Sequence, residues 1–67
     1  MNEPKYPNVH VPLVGEDGNA FAIIGRTTRA MQKAGISKEE KEAYVAEAMS
    51  GDYNNLLRVT MQWVDTD

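Results

Sequence analysis

The side chains best placed to do chemistry are three cations, Arg26, Arg29 and Lys33, spaced so that a helix gathers them within about 60° of one face. Such a stripe can contact phosphates or an acidic protein surface. An excess of acid over base, net charge −3 in 67 residues, makes a protein the expected partner and nucleic acid the alternative. A second candidate is Gly15-Glu16-Asp17-Gly18-Asn19, between a strand and a helix start, where backbone amides can hold an anion. Its spacing is not that of a Walker loop, no lysine follows the second glycine, and Glu16 and Asp17 would repel phosphate. An ordinary turn with a helix cap explains it better.

His10 is the single histidine and projects from the polar side of an alternating strand, without convergent metal ligands. Ser37 and Ser50 are accounted for by helix ends, and no base is placed to activate either. The expectation is therefore no enzyme, no cofactor and no metal site.

The elements that would position these groups are marked by punctuation. Val9, Val11 and Leu13 alternate with His10 and Pro12, predicting an edge strand over 9–14. Asn19 caps a first helix over 19–34, whose apolar stripe is Ala20, Ile24, Thr27, Met31 and Ala34, flanked by Phe21, Ile23 and Thr28. Gly35 suits the left-handed residue that ends it. Ser37 and Glu40 form a capping box for a second helix over 38–49 with Tyr44, Val45, Ala48 and Met49 buried. Asp52 caps a third over 53–63, whose face is Tyr53, Leu56, Leu57, Thr60, Met61 and Val64, with Leu57 at its centre. Trp63 and Tyr53 are read as core aromatics. Gly25, costly inside a helix, points to a close approach by another element or a partner.

The fold class is α+β: a three-helix domain preceded by one edge strand, with residues 63–66 either the end of the third helix or a short C-terminal strand that closes the fold in the order β-α-α-α-β. Residues 1–8, with Pro4 and Pro7, read as a flexible N-terminal arm, and residues 9–67 as a single compact domain. Closing the strand within one chain avoids the entropy of association, so a monomer is expected rather than a strand-paired dimer. A domain this small buries only about 60% of its unfolded surface, which leaves little room for a deep substrate cavity. Without cysteine it relies on packing, and the expected compartment is the cytoplasm. No apolar run approaches the roughly 20 residues of a membrane span, and Met1-Asn2-Glu3-Pro4 lacks the basic start of a signal peptide.

The helix, Ala34-Gly35-Ile36-Ser37 turn, helix arrangement is superficially similar to a helix-turn-helix. Its second helix, however, opens Lys38-Glu39-Glu40-Lys41-Glu42, and that acidity would face DNA phosphates. More extensively, Tyr6 to Val11, Gly15 to Arg26, Ala34-Gly35-Ile36-Ser37, Ser50-Gly51-Asp52-Tyr53 and Trp63-Val64 resemble a family of small uncharacterised proteins of bacterial, plasmid and phage genomes. The resemblance spans nearly the whole chain and implies an accessory protein of a mobile element. It brings no assigned activity, ligand or catalytic residue. The function expected is a small accessory protein-protein interaction module, with weak nucleic-acid binding by Arg26, Arg29 and Lys33 as the alternative.

Overall fold

A computed structural model describes residues 3–67; Met1 and Asn2, at the start of the expected arm, lie outside the described residues. The chain runs β1 (Tyr6–Val11), α1 (Ala20–Lys33), α2 (Lys38–Ala48), α3 (Tyr53–Trp63) and β2 (Val64–Thr66), the expected β-α-α-α-β order. β1 and β2 pair in parallel, Tyr6 opposite Val64, His10 opposite Asp65 and Val11 opposite Thr66, with an irregularity between Tyr6 and His10. Parallel neighbours need a crossover connection, and here the whole three-helix unit supplies it.

Local signals place the helix ends well. Asn19 Oδ1 accepts from the Phe21 amide at 2.9 Å, Ser37 Oγ from Glu40 at 3.2 Å and Asp52 Oδ1 from Asn55 at 2.9 Å. At the end of α1, Gly35 adopts φ 82°, while the Ile36 amide donates to Met31 O and the Gly35 amide to Gln32 O, the paired bonds of a Schellman ending. After α2, Gly51 lets Asn55 come close: a Cβ there would lie 2.9 Å from Asn55 Cβ. Asn55 Nδ2 uses that proximity to donate to Glu47 O in the last turn of α2.

Four expectations need correction. The strand starts three residues early and stops at Val11 rather than 14, so residues 5–8 are not a free arm. The Lys5 amide donates to Gln62 O at 2.9 Å and the Tyr6 ring packs on Trp63 with centroids 6.1 Å apart, which draws the segment onto the end of α3. Pro12, without an N–H, ends the ladder. The capping box is only half formed, because Glu40 turns away from Ser37 to bond Lys5 Nζ at 2.6 Å and Tyr6 Oη at 2.7 Å. The face of α3 is rotated: Leu56, Val59, Thr60 and Trp63 are buried, while Leu57 is half-buried and Tyr53 and Met61 are exposed. Phe21 and Met49 are likewise exposed, and Ile23, Thr27 and Met31 form the buried stripe of α1. One compact core cannot bury every residue of three broad apolar stripes. Finally, among the described residues, its own helix backbone and chain neighbours aside, nothing comes within 4 Å of a Cβ built at Gly25, so the expected close approach by another element is not there.

The core comprises Val9, Val11 and Val64 from the strands, Ile23 and Met31 from α1, Tyr44 and Ala48 from α2, and Leu56, Val59 and Trp63 from α3. Trp63 sits at its edge, with Tyr44 edge-on at 5.9 Å and its indole Nε1 donating to Glu47 Oε1 at 3.2 Å. Two threonines enter this apolar interior. Thr27 and Thr60 each donate to the carbonyl one turn back, Ile23 O and Leu56 O, at 2.8 Å. Among the described residues no buried side-chain polar atom lacks a partner.

Candidate functional site

The three candidate cations do not act alike. Arg26 reaches back over the β1–α1 connection, Nη1 to Pro12 O at 3.2 Å and Nη2 to Asp17 O at 2.9 Å, so its guanidinium is engaged in holding that turn. Arg29 and Lys33 remain exposed on α1. The turn also uses its own groups: the Asn19 amide donates to Asp17 Oδ1 at 3.0 Å and the Glu16 amide approaches Leu13 O at 3.4 Å. Amides spent this way, beside two carboxylates, suit a structural turn rather than an anion cradle.

His10 lies opposite Asp65 across the sheet, its Nδ1 2.7 Å from Asp65 Oδ2, with both side chains exposed. Nearby, Asp67 Oδ1 accepts from the Leu13 and Val14 amides at 2.8 and 3.1 Å, and these bonds hold its carboxyl below the usual range. Ser50 Oγ donates to Glu47 O at 2.7 Å, closing the end of α2. Among the described residues no three His, Asp or Glu side chains gather as metal ligands would.

One charged cluster fastens the fold. Lys5 Nζ stands 4.6 Å from the centroid of the Trp63 ring while bonded to Glu40, a cation held on an aromatic face by a carboxylate. Hydrogen bonds from Lys5 and then Tyr6 lower the Glu40 pKa. The same carboxylate raises those of Lys5 and Tyr6. This arrangement ties the start of β1 to α2.

The feature that the sequence did not announce is an apolar groove where the start of α1, the end of α2 and the start of α3 meet. Phe21, Met49 and Tyr53, 72%, 56% and 45% exposed, line it above Ala48 and Leu56 of the core, with Ile24 alongside and Asp52 at the rim. Tyr53 is anchored although exposed, since its hydroxyl donates to Gly18 O. The hollow holds about 200 Å³, less than the roughly 300–1,000 Å³ of small-molecule sites, and matches the tip of a partner's side chain better than a whole ligand. The one positional signal is that Phe21 and Tyr53 lie in the first turns of α1 and α3 and Met49 just past the end of α2, all beside the punctuation between helices. Among the described residues no helix is long and apolar enough to cross a membrane. No family model, no curated protein and no solved structure matches this chain.

Proposed function

We propose that this protein is a small accessory module that binds another protein, acting as a monomer in the cytoplasm, and that the Phe21–Met49–Tyr53 groove is its docking surface. The observation that carries the reading is the convergence of three large apolar side chains, from the ends of three different helices, on one solvent-open hollow. Scattered exposed hydrophobics are ordinary, whereas clustered ones mark interaction sites. Arg29 and Lys33 lie on a different part of α1 and supply a secondary, electrostatic contact. An origin in a mobile element remains part of the proposal through the family resemblance alone.

The test is affinity capture from the native host with and without nuclease treatment, using the wild-type chain, Phe21→Ser and an Arg29→Ala, Lys33→Ala double variant. A defined protein retained by the wild type and lost by the variant supports the reading. Recovery that disappears with nuclease and depends on Arg29 and Lys33 favours nucleic acid instead.

A further inference from the structure

Taking that groove as the docking surface, we infer the chemistry of its occupant: a segment of another protein that presents bulky apolar side chains bordered by lysine or arginine. The argument is charge. Among the described residues no Lys, Arg or His lines the groove, and Asp52 stands at its rim. The bond from Tyr53 to Gly18 ties the Gly15–Asn19 turn to the same end, and that turn carries Glu16 and Asp17 against one cation, Arg26, bonded to Asp17 O, so it adds no positive charge.

The helix termini do not reverse this sign. α1 and α3 begin at the groove and α2 ends there, so termini carrying about half a charge each leave a small positive remainder, which the full charge of Asp52 exceeds. The two N-termini are already capped by Asn19 and Asp52, and the last turn of α2 has no basic residue of its own to face its carbonyls. A cation arriving with the partner would meet the Asp52 carboxylate, with no resident cation among the residues that line the groove to oppose it. Apolar contact in the hollow supplies affinity, and the acidic border selects which apolar segment is taken. Tyr53, already held by Gly18 O, loses little freedom on binding.

The experiment uses two synthetic amphipathic peptides of about four helical turns. Both carry leucine at i, i+3, i+4 and i+7 spacing, one with lysine and the other with glutamate at the polar positions, each titrated into the full ¹⁵N-labelled chain. The lysine peptide is expected to move the amide resonances of Phe21, Met49 and Tyr53 and to bind at least about tenfold more tightly than the glutamate peptide. Asp52→Asn, which keeps an effective helix cap while removing the charge, should weaken the lysine peptide about two- to fivefold and leave the glutamate peptide no weaker. Equal binding of both peptides at the groove overturns the cationic occupant and leaves the docking surface standing. Failure of both to perturb the groove overturns both readings. Movement of the same resonances with protein concentration alone makes the occupant a second copy of this chain, which also overturns the proposal.

Discussion

The hydroxyls of Tyr44 and Thr60 meet 2.8 Å apart inside the core, and Thr60 gives its single proton to Leu56 O, so Tyr44 must be the donor of the pair. This polar chain is satisfied only while both members are present. Tyr44→Phe should cost about 0.5–1.5 kcal/mol, the net value of one hydrogen bond. Thr60→Val should cost more, about 1–3 kcal/mol, because it strands a buried phenol. The double variant should be less destabilised than the sum of the two. Urea denaturation of the four proteins checks this; strict additivity would show that the two hydroxyls do not interact.

Leu56, not Leu57, occupies the centre of the buried α3 face. Leu56→Ala should lose about 2–5 kcal/mol, as large-to-small core substitutions do. Leu57→Ala, at a half-buried position, should lose less than half of that. Thermal unfolding midpoints rank the two, and the opposite order would place the α3 face where periodicity alone puts it.

Acid should weaken the fold through Glu40 and Asp67. Both carboxyls titrate below their usual range in the folded state, so their contribution is present above the unfolded pKa and is lost as pH falls through the folded value. Stability should therefore decline from about pH 5 to about pH 2. Glu40→Gln should decline less steeply over that range. Lys5 shows the reverse linkage, with a raised pKa whose contribution is lost only as strongly alkaline pH is approached. Unfolding curves across pH for the wild type and Glu40→Gln test the assignment.

The two helix-associated glycines of α1 should respond with opposite signs. Gly25→Ala meets open space in a helix interior and should stabilise by about 0.5–1 kcal/mol. Gly35→Val forces a β-branched residue into φ 82° and should cost at least about 1–2 kcal/mol. A thermal midpoint unchanged in Gly35→Val would contradict the left-handed ending.

Removal of residues 64–67 should uncover the side of β1 that β2 pairs with, expose Val9 and Val11, and delete the buried Val64. The truncated chain is expected to be less stable and to associate through the opened edge. Sedimentation velocity reads the outcome; an unchanged monomer of unchanged stability would mean that β2 contributes no closing strand.

Helix boundaries and element order were legible because caps and breakers act within a few residues: Asn19, Ser37, Asp52 and Gly35 each satisfy neighbouring backbone groups whatever the rest of the chain does. The aromatic and β-branched residues near the end admitted either a helix end or a closing strand, and pairing with β1 decides for the strand. Other features depend on partners far away in sequence. Glu40 could reach Ser37 or Lys5, and the ammonium and phenol brought in by β1 outcompete one local amide. That same contact, with Trp63, starts the strand at Tyr6. The rotation of α3, and with it the exposure of Phe21, Met49 and Tyr53 as one groove, is decided when three wide apolar stripes compete for a core too small for all of them. Periodicity marks every residue able to enter that core, and only tertiary packing chooses which are left outside for a partner.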